Sequence, residues 1–327
     1  MRCTLPNRVA ARKEPMSRKI IPIRLTAILL LAACAPLAPR AASTPAVSAP
    51  ISLTDGLGHT ITLQHPAQQV ISLAPSNTEI LFAVGAGAEV IGRDSFSDYP
   101  AEARNVPDIG GGFTALNTEL ILSKKPDLVL AAPLTPPEQI ADLQNIGLPV
   151  FVVPNPKTFT ELYANLQTVA RLTGHEAEGA TLIEALKGRV DAVTRTLAGA
   201  KQKPLIYYEL DATDPNAPYT SGPATFVALL IDEAGGTNFG ANLNGEWVQV
   251  SVEELLAKQP DLIVLGDNTY GGVTPEQVAA RTGWQALKAV QQQHVFIFDD
   301  NVVSRPGPRL VDGLEAMARL LHPDLFK

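Results

Sequence analysis

Residues 117–128 (NTELILSKKPDL) return 134 positions later as residues 251–262 (SVEELLAKQPDL). Glu119 falls on Glu253, Leu122 on Leu256, Lys124 on Lys258, and Pro126-Asp127-Leu128 on Pro260-Asp261-Leu262. Each copy reads as a polar N-cap, a short amphipathic helix, a Pro-Asp stop and an apolar strand. The strand is Leu128–Ala131 in one copy and Leu262–Leu265 in the other. One helix-to-strand unit in each half of a chain predicts two similar α/β lobes. It also places an acidic residue in the first helical turn of both.

The rest of the chain fits that frame. Residues 51–63 read as a hairpin turning at Asp55-Gly56 or Gly58. Expected strands at 70–74, 90–92, Leu128–Ala131 and 150–153 are separated by helical stretches at 76–84, 118–125 and Pro137–Asn145. The alternation resumes with strands at 205–209, Leu262–Leu265 and 295–298, and helices at 225–234, Val252–Lys258, 283–290 and 309–321. Such βαβ order predicts mostly parallel sheets covered by helices. Between the halves, Phe159–Thr173 and Glu176–Leu197 show helical spacing on either side of Gly174, a natural C-cap. The second carries Ala180, Ile183, Leu186, Val190 and Val193 on one stripe and spans about 33 Å. One long helix joining two lobes resists hinge motion.

Arg18, Lys19 and Arg24 precede a short apolar run at 25–31, and Leu31-Ala32-Ala33-Cys34 has the pattern of a lipobox. The run is well short of the ~20 residues of a spanning helix. The lipobox pattern implies cleavage before Cys34 and acylation of its thiol; Met16 starts a more ordinary signal peptide than Met1. Cys3 and Cys34 are the only cysteines, so the remainder has no disulfide, thiolate metal site or cysteine nucleophile. The Ala-, Pro-, Ser- and Thr-rich stretch 35–50 reads as a tether. The expected organisation is a signal peptide (1–33), lipidated Cys34 with a tether (34–50), an N-terminal lobe (51–174), a connecting helix (175–200) and a C-terminal lobe (201–327). Residues 1–33 hold seven basic side chains and one acidic one; the remainder carries 19 Lys and Arg against 32 Asp and Glu, a net charge of −13. Nucleic-acid binding needs the opposite sign.

Enzyme signatures are absent. Gly85-Ala86-Gly87 lacks the third glycine of a dinucleotide fingerprint, and neither a P-loop nor a G-x-S-x-G elbow occurs. His59, His65, His175, His294 and His322 are scattered without ligand spacing, which argues against a resident metal site. No catalytic residue and no cofactor are expected. A surface receptor or adhesin without a transporter is the alternative of a different class.

From about Val70 to Leu321 the chain resembles the helical-backbone (class III) substrate-binding proteins of ABC importers for vitamin B12, haem and ferric siderophores. The matching stretches are 71–85 (ISLAPSNTEILFAVG), Ser97-Asp98-Tyr99-Pro100, both copies of the repeat, Tyr219-Thr220-Ser221-Gly222 and 284–299 (WQALKAVQQQHVFIFD). The arrangement is most similar to the family's vitamin B12-binding members. The resemblance implies two Rossmann-like lobes joined by a single long helix, with a ligand held in the cleft between them. It implies that Glu119 and Glu253 dock on a permease dimer served by ATPase subunits. By position, the ligand contacts would be Phe96, Phe113, Tyr219, Trp247, Asn301, Val302, Val303, Ser304 and Arg305, with Arg93 and Arg309 as weaker candidates. The cargo would be cobalamin or a related corrinoid, or else haem or another iron chelate. The protein would be a monomer, exported and lipid-anchored at the outer face of the cytoplasmic membrane or in the periplasm. Phe96 lacks a phenol hydroxyl, Phe113 replaces a larger indole, and Val302 and Val303 replace bulky aromatics, so the cleft is expected to be wider or differently shaped.

Overall fold

The structure, a computed structural model, describes residues 49–112 and 114–327. The expected signal segment, Cys34, nearly all of the tether and Phe113 lie outside the described residues. The chain opens on a hairpin, β1 (Ile51–Thr54) and β2 (Thr60–Leu63). Its turn is built by Asp55, which accepts hydrogen bonds from the N–H groups of Leu57 (2.9 Å) and His59 (2.8 Å).

The N-terminal sheet runs β4-β3-β5-β6 and is wholly parallel. Its strands are β3 (Val70–Ser72), β4 (Val90–Arg93), β5 (Leu128–Ala131) and β6 (Val150–Val152), with α1 (Pro75–Ala83), α2 (Thr118–Ser123) and α3 (Pro137–Asn145) between them. β3, β5 and β6 are buried along their whole length, as expected of parallel strands covered on both faces.

The C-terminal sheet runs β10-β8-β7-β11-β12, with β9 also paired to β7. It comprises β7 (Leu205–Asp211), β8 (Tyr219–Ser221), β9 (Thr237–Asn238), β10 (Trp247–Gln249), β11 (Leu262–Leu265) and β12 (Val295–Ile297). β7, β9, β11 and β12 pair in parallel, whereas β8 and β10 form an antiparallel margin. Trp247, for which the alternation of expected strands and helices provides no strand, lies on β10. Helices α6 (Phe226–Glu233), α7 (Val252–Lys258), α8 (Asn268–Gly271), α9 (Pro275–Ala280), α10 (Lys288–Gln291) and α11 (Leu310–Leu321) complete the lobe. The single helix expected at 283–290 is instead a 3₁₀ turn, Trp284–Ala286, followed by α10. Leu287 breaks it in an extended conformation, fully buried between Trp284 and Ala289 in the same apolar cluster.

Between the lobes run α4 (Phe159–Thr173) and α5 (Glu176–Leu197), separated by Gly174 at φ +78°. α5 packs so closely on α4 that a Cβ at Gly179 would stand 2.6 Å from that of Ala170. On its other flank, Arg189 holds α11 through Asp312 (2.6 Å) and both oxygens of Glu315 (2.9 Å). One apolar cluster runs through α4 (Leu162, Leu166, Val169), α5 (Ile183, Leu186, Val193), α6 (Leu230) and α11 (Leu314, Met317). The connector is thus part of a continuous core joining both sheets.

The repeat has a structural logic. In each copy a residue with positive φ precedes the proline: Lys125 (50°) and Gln259 (49°). The aspartate then staples the unit to the lobe's first strand. Asp127 accepts the N–H groups of Gln68 and Gln69, both at 2.9 Å, just before β3. Asp261 accepts the N–H of Leu205 at 2.8 Å, at the start of β7.

Candidate functional site

The carboxyl ends of both sheets carry the loops that face across the seam between lobes, where open α/β sheets hold ligands. In the N-terminal lobe, helix α1 organises these loops. Asn77 donates to the Ala131 carbonyl at the end of β5 (2.9 Å). The hydroxyl of Thr78 lies 2.7 Å from that of Ser97, fixing the loop after β4. Asp94 accepts the Phe96 N–H at 2.8 Å and the Ser97 hydroxyl, which positions Phe96, Ser97 and Asp98. Burial pushes the Asp94 carboxyl up, against the pull of these hydrogen bonds. Phe96 is half-buried and covers Gly112, where a Cβ would meet its ring at 2.5 Å.

In the C-terminal lobe, β12 leads into the turn at 299–305. Asp300 accepts the Ser304 hydroxyl and the Tyr208 hydroxyl (3.4 Å). Tyr270 on α8 donates to Asn301 Oδ1 at 3.0 Å and accepts from Arg305 Nη2 at 3.1 Å. Val303 is fully buried in the common core and presents no surface to a ligand, which corrects its assignment as a contact. Val302 packs against the same core, half-buried.

Arg305 does not stand free in the cleft. It is only 6% exposed and donates from Nη1 to Asp98 Oδ1 (2.6 Å) and Glu79 Oε1 (3.4 Å) of the opposite lobe. Arg309 grips the same Glu79 in bidentate fashion, Nε to Oε2 at 2.8 Å and Nη2 to Oε1 at 2.5 Å, and stacks on the Tyr99 ring at 4.0 Å. Partial burial alone would raise the Asp98 carboxyl, but the hydrogen bond and charge of Arg305 outweigh it and hold it below the ordinary range. Burial raises the Glu79 carboxyl, opposed by both guanidinium groups. Arg93 is spent inside its own lobe, on the carbonyls of Ala103 (3.1 Å) and Asp94 (2.8 Å).

The antiparallel margin carries the other aromatics. Gly222 makes this margin possible: a Cβ there would lie 1.9 Å from the Gly245 carbonyl oxygen. Tyr219 and Trp247 are both more than a third exposed, and the Trp247 ring packs on Phe226 at 5.4 Å. Next to Trp247, Glu246 meets Lys157 of the N-terminal lobe at 3.5 Å. Asp98 follows β4 and Lys157 follows β6, the two edges of one sheet; Arg305 follows β12 and Glu246 precedes β10, the two edges of the other. Two ion pairs therefore tie the lobes to each other. The structure gathers Asn301, Ser304 and Arg305 in the turn after β12 and Tyr219 and Trp247 on the antiparallel margin.

Four residues near this seam escaped the sequence reading: Glu79, Asp98, Tyr270 and Leu134. The first two sit inside the matched SNTE and SDYP motifs, where their charge was the available signal. Leu134 is 83% exposed and Tyr270 63%, each in the segment after the repeated strand of its lobe. Glu119 and Glu253 are exposed and form no hydrogen bond or ion pair with any described residue. Each helix runs antiparallel to the strand it feeds, so its first turn lies toward the carboxyl ends of the strands. Beneath β7 and β11, Arg281 holds the buried Glu209 with two bonds of 2.6 and 2.9 Å. Beside it, Asp267 has no hydrogen-bond partner at either oxygen among the described residues, and burial pushes its carboxyl up to about 7. Among the described residues no group of three or more His, Cys, Asp or Glu side chains is placed to hold a metal ion.

Residues 70–302 match the family described as periplasmic binding protein. The chain belongs to that family. It is 31% identical over 284 residues to an ABC transporter substrate-binding lipoprotein of Bacillus subtilis, covering 85% of this chain and 87% of that one. It is 30% identical over 258 residues to a vitamin B12-binding protein of Vibrio cholerae, covering 78% and 90%. A periplasmic haem-binding protein from Roseiflexus superposes with a TM-score of 0.70 at 26% identity, covering 79% and 99%. All three are named as binding proteins, and this periplasmic binding protein is a substrate-binding protein of an ABC importer.

Proposed function

We propose that the chain is an extracytoplasmic, lipid-anchored substrate-binding protein that captures cobalamin or a related corrinoid in the seam and delivers it to an ABC permease. The observation that carries the corrinoid reading is the charge of the seam. Arg305 and Arg309 reach it, and each is already neutralised by a carboxylate of the opposite lobe. A ligand rich in neutral amides suits such a surface better than one with several free carboxylates. The exposed rings of Tyr219, Trp247 and Tyr270 offer rigid apolar area to a macrocycle. The vitamin B12-binding name of a 30% identical relative supports the same reading.

In this reading Phe96, Tyr219, Trp247, Asn301, Ser304 and Arg305 line the ligand, with Val302 at the margin, and Phe113 remains a contact proposed from the resemblance alone. Glu119 and Glu253 present matched charges to the two membrane subunits of the permease, a pairing that suits a symmetric partner. Cys34 carries the lipid. A haem or ferric-siderophore cargo is the second reading, favoured by similarity to a haem-binding protein of the same fold. Calorimetric titration of the purified protein with cyanocobalamin, haemin and a ferric-siderophore panel separates them. Saturable binding of cyanocobalamin tighter than the others is expected; binding of haemin alone would overturn the corrinoid reading.

A further inference from the structure

The seam carries two carboxylates that reach arginines of the other lobe, and they differ in kind. Glu79 is sealed, with its side chain 1% exposed, and it binds Arg309 in bidentate fashion. Asp98 is 46% exposed, shares its charge with Arg104 at 3.4 Å, and meets Arg305 through a single oxygen. Glu79 is a fixed structural counter-ion. Asp98 sits where a carboxylate of a bound molecule would have to sit to use Arg305. Arg305 is itself held in place from behind by Tyr270, whose hydroxyl is anchored on Asn301. The guanidinium is thus preorganised and already occupied.

Resting on the reading of the seam as the ligand site, we propose that Asp98 is a specificity-determining residue: a built-in anion that occupies Arg305 and selects against ligands bearing free carboxylate groups at that end of the cleft. A neutral ligand meets a cancelled charge pair there. An anionic one must displace Asp98 and then remain beside it, because the loop is held by Asp94, Ser97 and Thr78. Like charges in a partly desolvated seam repel, and rejection of this kind sets specificity as much as attraction does.

The test compares wild type with Asp98→Asn, using haemin as the anionic probe and cyanocobalamin as the neutral one. D98N is expected to bind haemin at least tenfold more tightly than wild type, with cyanocobalamin affinity changed less than threefold. The double variant D98N/R305Q is expected to lose the gain. Asp98→Ser serves as a second variant, and melting temperatures confirm that each is folded. Unchanged or weaker haemin binding by both D98N and D98S would overturn the proposal, as would a gain that survives in D98N/R305Q. Failure of wild type to bind cyanocobalamin would count against the corrinoid function instead, since the haemin comparison reads Asp98 by itself.

Discussion

Asp127 and Asp261 are the residues on which the repeat turns. Each carboxylate accepts backbone N–H groups that would otherwise lose their partner at the start of the lobe's first strand. Hydrogen bonds to a charged acceptor contribute about 1.5–3 kcal/mol. Replacing either residue by Ala is therefore expected to lower stability by about 1–2 kcal/mol in urea unfolding, by similar amounts for the two, since both sites are partly exposed. A loss at one and none at the other would show that the two copies are alike in sequence only. Asp267 behaves differently. An unfolded aspartate ionises near about 3.9, whereas in the folded chain burial beside Glu209 lifts Asp267 to about 7. The folded state keeps a proton the unfolded state has lost, so this stabilisation is complete below the unfolded value and fades as pH rises through about 7. Asp267→Asn should gain on wild type as pH rises from 5 to 8 in paired melting curves. Parallel curves would contradict it.

At the scale of elements, the sequence was most legible where periodicity was long. Phe159–Thr173, Glu176–Leu197 and both repeated strands stand at their expected bounds because fifteen or more residues of helical spacing, or a duplicated pattern, leave little choice. Three-residue strands carry no period. β8 and β10 went unread because their pairing depends on a contact between Gly222 and Gly245 that only the folded chain brings about. The break at Leu287 was hidden for a related reason: burial of Trp284 and Leu287 in one cluster overrides local helix preference. The connector's grip on both lobes is testable at Gly179. A valine there must push α5 off Ala170, and overpacking of this kind costs about 1–3 kcal/mol. A Gly179→Val protein melting like wild type would mean that α4 and α5 are not closely packed.

At the scale of the molecule, the sequence pointed to the seam through aromatic and acidic motifs, but not to how its charges are paired. Pairing across lobes joins residues remote in sequence, more than 200 positions apart for Glu79 with Arg305 and Arg309, and no local pattern encodes it. Val303 read as a contact by its position in the resemblance alone, which carries no information on its burial in this chain. The matched tips predict a separation of functions: reversing both charges, Glu119→Arg with Glu253→Arg, should leave ligand affinity within about twofold and abolish uptake. Undiminished uptake would remove the docking role. Central to the account is a cargo held by both lobes at once, and hydrogen–deuterium exchange with saturating cyanocobalamin tests it most directly. Protection is expected together in residues 94–99 and 299–305, on opposite sides of the seam, with α5 unchanged. Protection confined to one lobe, or none at saturation, would contradict it.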